Sequence, residues 1–184
     1  MRPSESRVHL ERPSPRRERD YLDACHRSRA LHRGFVAAAT TPADYHDYLE
    51  LAARPSQESF FVVAAASGAL AGVVNILDVV RGAAPAGRLG YYAFVPHAGL
   101  GLMRKGVGRV VDVAFSDLGL VRLEVNIQPG NRRSGALAER LGFRRDGVVH
   151  GYLKIGSRWL GHERWTLLRD DWFAAERYEL EALA

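Results

Sequence analysis

Residues 93–115, AFVPHAGLGLMRKGVGRVVDVAF, place four glycines between an apolar run and a valine-rich segment with helical spacing. Glycines that precede a helix often allow backbone N–H groups to approach a phosphate. The dinucleotide pattern that starts at Gly99 would need a glycine where Arg104 stands. The P-loop pattern that starts at Gly101 would need a lysine where Val107 stands. If this segment binds a phosphate, it does so through a third kind of loop.

The elements on either side of this segment follow a mixed order of helices and strands. Apolar runs bounded by turn residues predict strands, and apolar residues three or four apart predict helices. Thr41 is expected to cap a helix that has Pro42 at its first position, and Gly119 is expected to end the helix after the glycines. Strands are predicted over 7–13, 58–66, 71–80, 88–95, 121–127, 146–155 and 158–168, with a turn at Gly156–Ser157, and helices over 16–30, 42–53, 102–118, 132–141 and 169–183. This order is typical of an α+β domain with one mostly antiparallel sheet, and the length predicts a single domain over 1–184.

The composition limits the classes of function. The net charge is +5, but nearly all basic residues are arginines, scattered along the chain and mixed with 21 acidic residues. This pattern does not indicate a nucleic-acid-binding patch. Cys25 is the only cysteine, which excludes an intrachain disulfide and a multi-cysteine metal site and favours a reducing cytosol. No apolar run has the length of a membrane span, and the polar start lacks the apolar part of a signal peptide. We therefore expect a cytoplasmic protein with neither a metal nor membrane contact.

Three stretches carry a family resemblance. They are LGYYAFVPHAGLGLM (89–103), RLEVNIQPGNRRSGALAERLGFRRDG (122–147) and YLKIGSRWLGHERWTLLRDDW (152–172). Together this region resembles the GNAT acyltransferase superfamily, and more closely its RimJ/RimL-type branch of N-terminal acetyltransferases. The resemblance implies the GNAT acyl-CoA N-acyltransferase fold, in which helices flank a central mixed, mostly antiparallel sheet. It also implies acetyl-CoA as the co-substrate.

The resemblance assigns the coenzyme site to the glycine loop and its surroundings. The family's Q/R-x-x-G-x-G/A loop falls on residues 98–103, where Ala98 replaces the usual Gln or Arg. Backbone N–H groups at a helix N-terminus suit the anionic pyrophosphate, and glycine lets it approach closely. The alternatives are that Gly99 and Gly101 only form a tight turn and that Asn131 is only a turn residue. The residues expected to bind acetyl-CoA are Ala93, Phe94, Val95, Gly99, Leu100, Gly101, Leu102, Met103, Arg104, Asn131 and Arg133.

The candidate catalytic residues are Ser134 and Glu124. Many members of the superfamily have a Tyr that acts as the general acid seven residues after the asparagine, but Ala138 stands at that position here. The RimL-type branch implies a Ser three residues after the asparagine, which is Ser134; the alternative is a hydroxyl in the first turn of a helix. Glu124 shares one face of its strand with Asn126 and is a candidate base acting through water, or else a member of an ion pair.

Three further residues are expected near the acceptor, namely Tyr92, His150 and Tyr152. Because Cys25 is remote from every motif and no G-x-S-x-G sequence is present, we expect direct attack in a ternary complex rather than a covalent acyl-enzyme. Gly106 and Gly108 lie inside a predicted helix, where they either allow close packing on the sheet or weaken the helix.

The predicted function is transfer of an acetyl group from acetyl-CoA to a primary amine, specifically the α-amino group of a protein N-terminus. Acetylation of a small-molecule amine or antibiotic is the first alternative. A non-catalytic acyl-CoA-binding protein is the second. Neither nucleic acid nor a membrane is expected as a partner, and the chain is expected to be a monomer or a homodimer. The apolar residues of the last helix, among them Trp172 and Phe173, are expected to pack within the molecule.

Overall fold

Seven strands form one mixed, mostly antiparallel sheet in this computed structural model, which describes residues 7–155 and 157–181. The strand order in the sheet is β1-β2-β3-β4-β5-β7-β6. Strands β4 and β5 pair in parallel, whereas β1–β2, β2–β3, β5–β7 and β7–β6 pair antiparallel. The strands are β1 (Val8–Glu11), β2 (Glu58–Ala64), β3 (Leu70–Val80), β4 (Ala86–Ala93), β5 (Arg122–Ile127), β6 (Arg144–Ile155) and β7 (Arg158–Leu168). The predicted α+β fold class is confirmed.

Residues 7–155 and 157–181 also form six α-helices. They are α1 (Glu18–Arg27), α2 (Arg29–His32), α3 (Pro42–Ala52), α4 (Leu102–Asp112), α5 (Arg132–Arg140) and α6 (Arg169–Glu181). None of the helices in residues 7–155 and 157–181 has the length and apolar character needed to cross a bilayer. Residue 156 of the predicted hairpin turn and residues 182 and 183 of the predicted last helix lie outside the described residues.

The helix ends agree with the sequence signals in two cases and differ in two. Thr41 caps α3 through a reciprocal pair of hydrogen bonds with Asp44, as its position before Pro42 predicts. Gly119 has a φ of +66° after the helix that it was expected to end. The predicted helix 16–30 is interrupted, however, because a 3-10 turn precedes α1 and buried Ser28 separates α1 from α2. The predicted helix 102–118 is α4 followed by a π-helical turn over Val113–Asp117.

The chain divides into two compact units. The first contains the residues up to Leu77 together with Gly90–Val110, and the second contains Asp78–Leu89 together with the residues from Val111 onward. The expected single domain over 1–184 stays a prediction.

The first unit is built around aromatic rings. Tyr21 of α1 is stacked on Tyr48 of α3 and on Phe61 of β2, with ring centroids 5.6 Å apart in both pairs. Phe94 meets Tyr21 edge-on at 5.9 Å. Such rings bury large apolar areas, and their pairing adds about 0.5–1.5 kcal/mol each. The buried cluster consists of Tyr21, Ala24, Cys25, Tyr45, Phe61, Val63, Leu70, Val73 and Phe94.

Two glycines let α4 lie close to the strands of the first unit. A Cβ atom on Gly106 of α4 would collide with the side chain of Val62 on β2. A Cβ atom on Gly72 of β3 would collide with the thioether of Met103, which therefore packs directly over the strand. The first of the two interpretations of Gly106, close packing against the sheet, is the one that the structure shows.

The second unit is organised by β5. Its residues pair in parallel with β4 from Ala86–Arg122 to Leu89–Val125, and antiparallel with β7 on the other side. Alternate residues of β5, such as Leu123, are buried. The first turn of α6 packs within this unit as expected, because Trp172 Nε1 donates to Asp112 Oδ1 at 2.8 Å. Phe173 contacts Phe115 with ring centroids 6.5 Å apart.

The close approach at Gly106 predicts that Gly106→Ala lowers stability although alanine favours a helix. Alanine contributes about 1 kcal/mol of helix propensity. The collision with Val62 costs about 1–3 kcal/mol, as overpacking typically does. We expect the midpoint of urea unfolding to fall in Gly106→Ala. We expect it to rise when the same substitution is made in a Val62→Ala background, which removes the colliding methyl groups. A rise in both backgrounds would show that Gly106 only weakens the helix.

Candidate active site

The glycine loop of the first unit has the backbone that its sequence predicts. Gly99 and Gly101 have φ values of +84° and +79°, a region that L side chains rarely adopt. Open space lies where a Cβ atom on either glycine would project. Helix α4 begins directly after them at Leu102, and the first N–H groups of a helix have no partner within it. The loop therefore has the positive helix end and the close backbone access that an anionic group requires.

The end of β4 already has hydrogen-bond partners within the first unit. The N–H of Val95 donates to Ser28 Oγ at 3.0 Å, and the N–H of Phe94 donates to a β3 carbonyl at 2.8 Å. His32 Nε2 lies 2.8 Å from the carbonyl oxygen of Ala93, so this nitrogen carries the hydrogen and donates it. Both Ser28 and His32 are buried. A ligand arm that bonds the N–H of Val95 would have to replace Ser28 there, whereas the Ala93 carbonyl oxygen has a second lone pair for a further donor.

Tyr92 is part of the aromatic cluster rather than of an open surface. Its hydroxyl lies 2.6 Å from the hydroxyl of Tyr21, and its ring meets His32 and Phe94 edge-on. Burial, with the neighbouring Tyr21, raises the pKa of Tyr92 well above its ordinary value. Tyr92 therefore stays protonated at neutral pH and acts as a hydrogen-bonding group, not as a base.

Asn131 and Ser134 lie at the start of α5 in the second unit. Asn131 is the N-cap, and its Oδ1 accepts the backbone N–H of Ser134 at 3.3 Å. The capping bond uses the Ser134 backbone, so it does not depend on the Ser134 hydroxyl. Arg133 is exposed next to the cap. Ala138 is buried, at the position where many members of the superfamily have a Tyr that acts as the general acid.

A cavity of about 480 Å³ opens on the face of the second unit that carries Glu124. It contains two of the predicted residues, Glu124 and Tyr152, and also Asn126, as the alternation along β5 predicts. This volume lies within the range typical of ligand sites, about 300–1,000 Å³. The lining residues are Asp78, Val80, Ala86, Gly87, Arg88, Arg122, Glu124, Asn126, Tyr152, Leu153 and Arg164.

Ion pairs hold Glu124 inside this cavity. Its Oε1 lies 3.1 Å from Arg122, and its Oε2 lies 3.4 Å from Nε of Arg164. The Glu124 side chain is only 17% exposed, whereas those of Arg122 and Arg164 are 49% and 37% exposed. Of the two interpretations of Glu124, the ion pair is therefore present, and one guanidinium occupies each carboxylate oxygen.

Tyr152 connects the two ends of the cavity. Its hydroxyl oxygen accepts a hydrogen bond from Arg88 at 2.6 Å and another from Asn126 Nδ2 at 3.1 Å. Arg88 also pairs with Asp78, whose φ of +52° places it in the left-handed region that Asp tolerates. Both contacts use the hydroxyl oxygen as an acceptor, so neither of them engages the O–H hydrogen of Tyr152.

Several lining residues carry no recognisable signal in the sequence. Arg164 reaches Asn126 because the β5–β7 register places the two opposite each other, and no local motif signals that pairing. His150, by contrast, is exposed on β6 and does not line the cavity. Strand alternation would put His150 and Tyr152 on one face, but Gly151 between them has a φ of +59° and the β6–β7 register shifts there.

Comparison with known proteins assigns the family. Residues 7–144 match the acetyltransferase (GNAT) domain family. The chain is 31% identical over 125 residues to the probable N-acetyltransferase YjcK of Bacillus subtilis, a match that covers 68% of this chain and 69% of that protein. The chain therefore belongs to the GNAT acetyltransferases, a family that uses acyl-CoA, and to their RimJ/RimL-like branch. The resemblance stated from the sequence is confirmed.

Other relatives differ in their acceptors. The ribosomal protein uS5-alanine N-acetyltransferase of Escherichia coli is 36% identical over 101 residues, which is 55% of this chain and about half, 52%, of that enzyme. The crystal structure of ribosomal-protein-S5-alanine acetyltransferase from Vibrio fischeri matches with a TM-score of 0.78 at 23% identity, over 90% of this chain and 95% of that one. Spermidine N-acetyltransferase from Vibrio cholerae, in complex with CoA and spermine, matches with a TM-score of 0.77 at 18% identity, over 92% and 99%. At these identities the solved structures show the fold alone.

The burial of Cys25 predicts that its thiol does not react in the folded protein. The side chain is 2% exposed, and burial raises its pKa to about 11. At pH 8 the thiolate fraction is then roughly 200-fold lower than in the unfolded chain, where the pKa is near 8.5. We expect alkylation by iodoacetamide, followed by mass spectrometry, to be slow without denaturant and fast in urea. Rapid alkylation of the native protein with loss of acetyl transfer would instead favour a covalent acyl-enzyme.

Proposed function

We propose that this GNAT acetyltransferase transfers an acetyl group from acetyl-CoA to the α-amino group of a protein N-terminus, by direct attack in a ternary complex. The observation that carries the proposal is the polar cavity that both Glu124 and Tyr152 line, in a chain that also has the glycine loop expected to bind the coenzyme. The similarity to enzymes that acetylate the alanine of a ribosomal protein supports an N-terminal amine as acceptor.

The glycine loop fits the coenzyme by two observations. Its two glycines adopt positive φ values, and the space beside them is open. We propose that the N–H groups of residues 99–104 hold the pyrophosphate and that Asn131 and Arg133 contact the coenzyme elsewhere. Acetyl-CoA supplies the activated acetyl group. The side chain of Met103 packs on β3, so only its backbone N–H is available for this role.

Two of the chain's groups are proposed to move protons. The attacking amine must be neutral, and its proton must be removed during the reaction. Glu124 takes this proton through a water molecule, since both of its oxygens are engaged by arginines and direct contact would displace one of them. The neutral amine attacks the thioester carbonyl, the C–S bond breaks, and Ser134 Oγ is proposed to donate a proton to the departing thiolate of coenzyme A. Water then returns a proton to the serine. Tyr152 orients the acceptor through its O–H.

A polyamine acceptor is the second candidate, because a spermidine acetyltransferase shares the fold. The cavity does not favour it. Both carboxylates that line the cavity are already paired with arginines, so a polycation would have to compete with a guanidinium at each one. An assay of thiol release from acetyl-CoA with peptides and polyamines separates the two candidates.

The loop assignment predicts the effect of Gly101→Val on coenzyme binding. Acetyl-CoA that binds the folded state should raise the melting temperature by mass action. In Gly101→Val the Cβ branch should occupy the space next to the N–H groups, so we expect the shift to disappear. The substitution also strains the backbone by about 1–3 kcal/mol, which lowers the melting temperature itself.

Gly68→Val is the matched control for this strain. Gly68 lies in the β2–β3 turn with a φ of +68°, and open space surrounds its Cβ position too. We expect Gly68→Val to lose a similar amount of stability and to keep the full acetyl-CoA shift. An undiminished shift in Gly101→Val would contradict the loop assignment.

The role of Ser134 predicts a kinetic effect without a binding effect. General acid–base catalysis contributes about 10²–10⁴-fold in rate, and the easy departure of a thiolate places Ser134 at the low end of this range. We expect Ser134→Ala to lower kcat at least about tenfold while the Kd of acetyl-CoA stays nearly unchanged. Ser116→Ala, which removes an exposed hydroxyl from the π-helical turn, is the control and should keep full activity. Full kcat in Ser134→Ala would show that water supplies the proton.

A further inference from the structure

The cavity of the second unit has more positive than negative charge. Among the residues that the structure describes, three guanidinium groups and two carboxylates line it, which leaves one net positive charge before a substrate enters. The charged lining residues are Asp78, Arg88, Arg122, Glu124 and Arg164. A cavity with a net charge attracts ligands of the opposite charge and slows the approach of ligands of the same charge.

The negative charges of the cavity are already neutralised. Asp78 pairs with Arg88, and Glu124 pairs with both Arg122 and Arg164. An acceptor with several positive charges therefore has no carboxylate that it can bind without breaking an existing ion pair. The arrangement opposes a polycation on grounds of both net charge and local pairing.

The positive charges, by contrast, retain donors. A guanidinium has five N–H groups, and the contacts within the cavity use one nitrogen of Arg122 and the Nε of Arg164. About half of the Arg122 side chain is exposed. The O–H of Tyr152 adds a neutral donor on the same surface. A carboxylate fits this set of donors, because arginine binds it through two parallel N–H bonds.

The lining of the cavity also includes exposed apolar side chains. Val80 and Leu153 line it and are 54% and 49% exposed. Such side chains can cover the apolar part of a chain that extends beyond the reacting amine. A peptide has this extended chain, whereas an amino acid does not.

We propose that the preferred acceptor is a peptide N-terminus that carries an acidic side chain at its second or third residue. The carboxylate binds Arg122 and Arg164, while the α-amino group is presented to the acetyl donor. This inference rests on the proposed function, since it identifies the class of N-terminus on which that function acts.

A set of matched peptides tests the proposal. The peptides begin Ser-Asp-Glu, Ser-Asn-Gln or Ser-Lys-Lys and are otherwise identical, and spermidine is the fourth acceptor. Thiol release from acetyl-CoA gives kcat/KM for each. We expect the acidic peptide to exceed its amide counterpart by about tenfold at low ionic strength and the lysine peptide by more. We expect the ratio to shrink as salt is added, because exposed charges are screened.

Arginine variants locate the effect. Arg122→Gln should reduce the preference for the acidic peptide over the amide peptide, and Arg122→Glu should reverse it. Arg54→Gln is the control, because Arg54 is an exposed arginine that does not line the cavity, and it should leave the ratio unchanged. The thermal shift with acetyl-CoA verifies that each variant is folded and still binds the coenzyme.

The outcomes separate the inference from the function on which it rests. Equal rates for acidic and amide peptides, or a ratio that Arg122→Glu does not change, would overturn the inference and leave N-terminal acetylation standing. Preferential acetylation of spermidine would overturn both. Binding of acetyl-CoA without acetylation of any peptide would contradict the proposed function itself.

Discussion

The short distance between α4 and the strands beneath it is the constraint on which the first unit depends. Two glycines, Gly72 on β3 and Gly106 on α4, leave no room for a methyl group at either position. The helix can therefore lie against the strand backbones, and its N-terminal end is held over β3 by the side chain of Met103. Because the glycine loop leads directly into this end, the same contacts fix where its N–H groups point. Gly106 lowers the intrinsic stability of α4, because glycine has a low helix propensity. The close packing that it allows nevertheless supports the glycine loop.

The second unit positions its polar groups through strand register. In the β5–β7 ladder Asn126 is opposite Arg164, so an amide and a guanidinium meet across the strands without any motif in the sequence. The chain of contacts then continues through Tyr152 to Arg88. Each polar group in this series of contacts is paired with an opposite charge or with a complementary hydrogen-bond donor or acceptor. Such pairing is the condition for keeping charged side chains partly buried. The geometry of the cavity is therefore a property of the sheet, not of a mobile loop.

The sequence predicted the parts of the structure that local pattern determines. The alternation of RLEVNI correctly placed Glu124 and Asn126 on one face, and the glycine loop and the α3 cap followed from residue types with fixed backbone preferences. The break at Ser28 could not be predicted, since this residue leaves the helical pattern to bind the N–H of Val95, 67 positions away. The hydrogen bond between the Tyr152 hydroxyl and Arg88 could not be predicted from the sequence either, because it joins residues 64 positions apart.

The irregular backbone of β6 affects the exposed edge of the sheet. Strand β6 is one of the two edge strands of the sheet, and at twelve residues it is long enough to offer a template for pairing with another chain. Its ladder with β7 is broken by register shifts after Arg145 and after Val149, where the backbone twists away from a flat ribbon. An incoming strand would find only short stretches of regular spacing. The bulge that turns Tyr152 inward thus also protects the sheet from edge-to-edge aggregation.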